Sequence, residues 1–208
     1  MIKAVIFDMD GVLIEAKDWH YESLNKALNL FGYEISRVDH LTTFDGLPTK
    51  MKLEMLSKEK GLPIELHSFI NEMKQIYTIE LIHQLCKPKF IHEYAVSTLK
   101  TNGYKLAVAS NSIRKTIELM MEKSFLSKYM DIMLSNEDVT NAKPDPEIYI
   151  TTIERLNLNP EECLILEDNE NGIRAAKASK AHVMIVNDVY DVTLENITKR
   201  IKEIETNE

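Results

Sequence analysis

Hydrophobic and polar positions along this chain follow two periods. Close to the N-terminus, Val5-Ile6-Phe7 form an apolar run that passes directly into Asp8-Met9-Asp10-Gly11. A run apolar on both faces predicts a buried parallel strand. The pattern then turns helical. Residues 18–31 carry Leu24, Ala27, Leu28 and Phe31 at helical spacing, with Asp18 suited to cap the start and Gly32 the end. A second helix is predicted over 49–60, stopped by Gly61. A third opens at Pro63, with Leu66, Phe69, Ile70, Met73, Ile76 and Tyr77 on one face. No strand signal interrupts 15–86.

From about residue 90 helices and strands alternate. Helices are predicted over 90–102, 113–123, 146–156, 171–179 and 193–204, and strands over 104–109, 131–134, 163–166 and 182–186. This alternation implies an α/β fold built on a doubly wound parallel sheet. The expected organisation is a Rossmann-like core of residues 1–14 and 87–208, with an inserted all-helical cap over 15–86 standing above the C-terminal edge of the sheet.

Composition narrows the class. The 208 residues are 44% hydrophobic, enough for a sizeable core, and carry 33 acidic against 25 basic residues, a net charge of −8. That balance argues against non-specific nucleic-acid binding, which needs a basic footprint. Two distant cysteines, Cys86 and Cys163, fit a reduced chain better than a zinc site or a disulfide scaffold. No stretch approaches the ~20 apolar residues of a membrane span. A cytoplasmic monomer without a membrane or nucleic-acid partner is expected.

The chemistry lies where strands end. In open α/β sheets these ends converge on one edge, where ligands bind. Asp8 and Asp10 end the first strand. Ser110-Asn111-Ser112 end the second, at a helix N-terminus that favours anions, although taken alone plain helix capping by Ser112 is the favoured reading. Lys143 stands immediately before Pro144-Asp145-Pro146, with Asp145 a good cap and Pro146 suited to a first helical turn. This places the lysine just ahead of a rigid helix start, as a point charge able to enter a pocket. Glu167 and Asp168 abut the apolar strand Cys163-Leu164-Ile165-Leu166, and adjacent carboxylates there suit a hard cation with oxygen ligands. Any one of these groups is an ordinary loop feature. All four in order, each at a strand-to-helix junction, are improbable by chance.

Together Phe7-Asp8-Met9-Asp10-Gly11-Val12-Leu13, Ser110-Asn111, Lys143-Pro144-Asp145-Pro146 and Glu167-Asp168 with Gly172-Ile173 resemble the haloacid dehalogenase-like hydrolases, over nearly the whole chain. The nearest branch is that of β-phosphoglucomutase and small helical-cap sugar-phosphate phosphatases. The resemblance implies that Asp8 attacks phosphorus and forms an aspartyl-phosphate. Asp10 would protonate the leaving oxygen and then activate water. Mg²⁺ would be held by Asp8, Asp168 and the Asp10 carbonyl, with Glu167 as a further candidate ligand. Ser110, Asn111 and Lys143 would bind the transferring oxygens. Retention of Asp10 argues against dehalogenation, since a halide needs no proton, and against a module that keeps a stable phosphoaspartate.

The resemblance is less informative in the cap. His20 matches a histidine of the β-phosphoglucomutase type, and Phe44-Asp45-Gly46-Leu47-Pro48 matches the family's specificity loop. Where the mutases place an arginine to grip a second phosphate, this chain has Thr49, with Lys50 beside it, and Asp45 precedes the loop glycine. The expected activity is therefore Mg²⁺-dependent hydrolysis of a small phosphorylated metabolite, in all expectation a sugar phosphate, with a sugar-phosphate mutase second and a phosphonate hydrolase third. The last would need a cap lysine, and Lys50, Lys52, Lys58 and Lys74 are not distinguished by sequence. Two departures touch the connections to the cap: Glu15-Ala16 replaces the usual Asp-Ser, and Lys89-Phe90-Ile91-His92-Glu93 lacks the usual Pro-Gly.

Overall fold

The computed structural model describes residues 1–206. Among these, five parallel strands form one sheet: β1 (Ala4–Phe7), β2 (Lys105–Ala109), β3 (Ile132–Leu134), β4 (Cys163–Glu167) and β5 (His182–Ile185), in the spatial order β3-β2-β1-β4-β5. The α/β class with a doubly wound parallel sheet is as expected. β1 is central and pairs with β2 and β4 in matching register, Phe7 lying opposite both Val108 and Leu166. All four β1 residues are buried, which is why this strand reads as a continuous apolar run. The chain works outward from β1 through β2 to β3, then returns to the other side of β1 to place β4. The β1/β4 gap is thus the point where the winding reverses and a ligand crevice opens.

By compactness the chain divides into two units, Met1–Glu15 with the chain from Lys87 onward, and Ala16–Cys86. In the first, the sheet is accompanied by α5 (Phe90–Thr101), α6 (Arg114–Lys123), α7 (Glu147–Arg155), α8 (Glu170–Ala178) and α9 (Leu194–Thr206). Part of its core gathers Ala4 and Ile6 of β1, Ala107 and Ala109 of β2, Ile165 of β4, and Ile148, Tyr149 and Ile153 of α7. Glu15 and Lys89, at the two points where the chain leaves and re-enters this unit, form an ion pair of 3.1 Å. The two departures near residues 15 and 89 thus meet each other.

The second unit holds α1 (Lys17–Leu28), α2 (Arg37–Asp39), α3 (Thr49–Lys60) and α4 (His67–Leu85) around Leu24, Leu28, Phe44, Leu53, Leu56 and Ile70. Gly32 and Gly61 end their helices at φ of 76° and 70°, the left-handed region that glycine reaches without a Cβ penalty. Two expectations change here, and one further element is added. Asp18 lies in the first turn of α1, not at its cap, and its carboxylate meets Arg37. Residues 37–44, which carry no clear periodicity, coil as the short α2 and a π-turn over His40–Phe44. The buried stripe of α4 is Ile70, Lys74, Thr78 and Ile82, while Phe69 and Ile76 are 47% and 49% exposed. An apolar-residue pattern overlooks this stripe because half of it is polar.

Candidate active site

The site grows from the end of β1. The Asp8 N–H donates to the Leu166 carbonyl at 3.0 Å, so the strand ladder continues one residue beyond β1 and carries Asp8 to the level of Glu167. Side chains alternate along extended backbone: Met9 turns into the core, fully buried, and Asp8 and Asp10 leave on the other side. Gly11, at φ 93°, then folds the chain over, its N–H donating to the Ile14 carbonyl at 2.7 Å. Neighbouring strands end at the same level. Ser110 follows β2 and is buried, its N–H donating to the Leu134 carbonyl of β3.

Lys143 is the centre of this edge. Only 3% exposed, it is the pocket lysine expected from its two prolines and not a solvated one. Its Nζ lies 2.6 Å from Asp8 Oδ1, 2.7 Å from Glu167 Oε1, and 2.8 Å from both the Ala109 carbonyl and the Tyr149 hydroxyl. Asn111 brackets the lysine main chain, Oδ1 accepting from the Lys143 N–H at 3.1 Å and Nδ2 donating to its carbonyl at 3.4 Å. Pro146, not Asp145, occupies the N-cap of α7, and Asp145 Oδ1 accepts from the Glu147 N–H at 2.9 Å from one position earlier. Burial acts to lower the Lys143 pKa, but the adjoining Asp8 and Glu167 carboxylates outweigh it and hold the ammonium above its ordinary range. Asp8 is pushed well above the usual carboxylate range, first by burial and then by Glu167, Asp168 and Asp10, with Lys143 opposing. Four carboxylates against one ammonium leave the edge short of positive charge.

Ser112 is a correction. It does not cap α6, which starts at Arg114 with Ile113 at the N-cap and no side-chain cap bond; the Ser112 hydroxyl donates instead to Asp10 Oδ2 at 2.8 Å. Ser110 Oγ accepts from the Ser112 N–H at 3.1 Å, which fixes that turn. Glu167, 1% exposed, accepts from Lys143 and Tyr149 on Oε1 and from the Asp168 N–H on Oε2 at 3.2 Å. Gly172 makes room for it. A Cβ at 172 would lie 1.9 Å from Glu167 Oε1. Helix propensity alone favours alanine over glycine by ~1 kcal/mol within α8. Gly172→Ala should nevertheless destabilise the chain by ~1–3 kcal/mol through overpacking, because Glu167 is held on every side. It should also reduce turnover strongly. Chemical denaturation decides the sign, and a stabilised variant would contradict this account of the glycine.

The haloacid dehalogenase-like hydrolase family model matches residues 5–186, nearly the whole chain and every strand-end group above. The chain belongs to that family. A phosphorylated carbohydrates phosphatase of Thermotoga maritima is 30% identical over 181 residues, 86% of this chain and 82% of that protein. A phosphoglycolate phosphatase of Aquifex aeolicus is 28% identical, over 85% of this chain and 80% of its own length. Among solved structures, the β-phosphoglucomutase of Clostridium difficile superposes with a TM-score of 0.86 at 23% identity, over 99% of this chain and all of that one, a likeness of fold.

The residues of this haloacid dehalogenase-like hydrolase fit a divalent cation. Asp8, Glu167 and Asp168 each offer a carboxylate oxygen, and the three atoms lie within 4.8 Å of one another at the β1/β4 switch point. A set of oxygen donors without nitrogen or sulfur selects a hard ion, and the charge deficit around Asp8 calls for one.

Within the helical unit, His20 is half-buried on α1 and its Nδ1 lies 3.2 Å from the ammonium of Lys74, one of the unit's buried lysines. The next residue of α1, Tyr21, packs against His40, ring centroids 4.9 Å apart. Burial, together with the nearby Lys52, lowers the His40 pKa to about 4. Lys17 meets Asp45 at 3.6 Å, so the acid beside Gly46 is partly neutralised. Gly46 turns at φ 70°. Lys50 is exposed and Lys52 and Lys74 are buried, a distinction the sequence does not make. Sequence reasoning also passes over Tyr149. A tyrosine within the buried α7 stripe of Ile148, Thr152 and Ile153 must find a partner for its hydroxyl, and that signal points to the sheet edge. The helices of the described residues include none long and apolar enough to cross a membrane.

Proposed function

We propose that this chain is a Mg²⁺-dependent phosphatase that hydrolyses a small phosphorylated metabolite, a sugar phosphate in the first instance, through an aspartyl-phosphate on Asp8. The observation that carries the reading is the meeting of Asp8, Lys143 and Glu167 within hydrogen-bonding distance at the sheet's switch point, with Asp10 two residues along. The named phosphatases among its relatives supply the reaction class.

Lys143 holds Asp8 Oδ1 and so restrains the rotation of the carboxylate that attacks phosphorus. As the bond from the Asp8 carboxylate oxygen to phosphorus forms, the ester P–O bond breaks and Asp10 gives its proton to the departing oxygen. Water then attacks the phosphoaspartate, Asp10 takes its proton, and phosphate leaves with Asp8 restored. The Ser112 hydroxyl holds Asp10 Oδ2, directing the transferable proton to Oδ1. Lys143 and Ser110 supply donors for the transferring oxygens, with Asn111 keeping Lys143 in place. Asp8, Asp168, the Asp10 carbonyl and Glu167 would hold a divalent ion, which would supply charge neutralisation at the phosphoryl group. The second reading, a mutase, would need a fixed cationic grip on a second phosphate.

The test is phosphate release from a panel of phosphorylated metabolites with Mg²⁺. Release from a monophosphate without any bisphosphate activator supports hydrolysis. Rapid interconversion of hexose 1- and 6-phosphates with negligible release would show a mutase. Lys50→Ala should raise KM by no more than a few fold and leave kcat in place, because an exposed lysine is a mobile point charge and not a bidentate clamp. A tenfold fall in kcat would assign Lys50 a part in the chemistry.

A further inference from the structure

Lys143 faces four acceptors with three N–H bonds: Asp8 Oδ1, Glu167 Oε1, the Ala109 carbonyl and the Tyr149 hydroxyl, all at 2.6–2.8 Å. Tyr149 is fully buried, and its hydroxyl does two things at once. It accepts from Lys143 and donates its own proton to Glu167 Oε1 at 2.5 Å. The ring adds a third contact, with Lys143 Nζ 4.6 Å from its centroid. A buried carboxylate draws any donor within reach. Without the hydroxyl, Oε1 of Glu167 has Lys143 as its one side-chain donor, and the ammonium is drawn toward Glu167 and away from Asp8. With it, Glu167 has a second donor and the lysine stays bridged between the two carboxylates.

We propose that Tyr149 is a positioning residue of the phosphoryl-transfer site, its hydroxyl holding Glu167 so that the Lys143 ammonium remains against Asp8 and the transferring group. The proposal rests on the phosphatase reading. Lys143 would bind a bound phosphate in the ground state even when displaced slightly, since a point charge tolerates small shifts. The transition state does not, because the charge must sit where the new one develops. The effect therefore belongs in kcat.

Tyr149→Phe keeps the buried ring and removes only the hydroxyl. With acetyl phosphate as probe, this variant should lose 10- to 100-fold in kcat. KM, and competitive inhibition by inorganic phosphate, should stay within about threefold of the parent. A loss in kcat smaller than fivefold overturns the proposal, and so does an equal loss in phosphate affinity, which would mark a damaged pocket. A second measurement needs no turnover. In a double-mutant cycle of Tyr149→Phe with Glu167→Gln, followed by chemical denaturation without metal, the two changes should be coupled by about fivefold or more in the folding equilibrium. Weaker coupling overturns the link between hydroxyl and carboxylate. A parent chain that releases phosphate from neither acetyl phosphate nor any monophosphate overturns the phosphatase reading alone, while the denaturation cycle still decides the tyrosine.

Discussion

Asp8→Asn should abolish turnover by several orders of magnitude and leave the fold intact or more stable. The amide is nearly isosteric but a poor nucleophile, so the covalent step is lost and only binding and charge stabilisation remain. Stability should not follow activity down. Lys143 keeps Glu167 at 2.7 Å as its counter-ion, so the ammonium is not stranded. Asp8 is held well above the ordinary carboxylate range by burial and by Glu167, Asp168 and Asp10. A group whose folded pKa is raised contributes stability below its unfolded pKa, and that contribution is lost as pH rises through the folded value. Above its unfolded pKa Asp8 therefore works against the metal-free fold, and neutral asparagine relieves it. Melting curves without metal should place the variant at or above the parent, and the gap should narrow as the pH is lowered. A folded Asp8→Asn chain with near-normal turnover would remove the covalent mechanism.

How much of this was open to reading in the sequence varies with the physics of each part. The strands were legible because β1 and β4 are buried on both faces and leave continuous apolar runs. Asp8, Asp10, Glu167 and Asp168 were legible because each sits where an apolar run stops, and a parallel sheet brings such stops to one edge; Lys143 was legible from the two prolines that follow it at a helix start. Their partners were not. Tyr149 lies two helical positions beyond Glu147 in what reads as an ordinary amphipathic stripe, and nothing local says that its hydroxyl reaches Glu167. Ser112 has the sequence signature of a cap, and its contact with Asp10 spans 102 positions along the chain. The α4 stripe failed for a related reason. Periodicity assigns faces by apolar residues, whereas Lys74 buries its stem and satisfies its ammonium against His20, so a polar position occupies the inner face.

Metal removal should have an effect comparable to that of Asp8→Asn. The substrate phosphate carries about two negative charges at neutral pH. It must approach an edge where Asp8, Asp10, Glu167 and Asp168 face a single ammonium. At the effective dielectric of a partly buried site, each unit pair at ~4 Å contributes about 4 kcal/mol of repulsion, so one lysine does not balance the set. Excess chelator should lower kcat/KM by on the order of 10³ or more, matching the several kcal/mol that a bound cation supplies. Mg²⁺ should restore it. Ca²⁺ should restore little, because its larger and more variable coordination shell holds the reacting oxygens less closely in line. Binding can be followed without substrate. Mg²⁺ at 100 times its Kd should stabilise the parent by about 2.7 kcal/mol, raising the melting temperature. The rise should be largely lost in Asp168→Asn, which replaces one of the three carboxylates whose oxygens lie within 4.8 Å of one another by a neutral amide. Full activity in chelator, or a Mg²⁺-dependent rise that survives Asp168→Asn unchanged, would place the cation elsewhere.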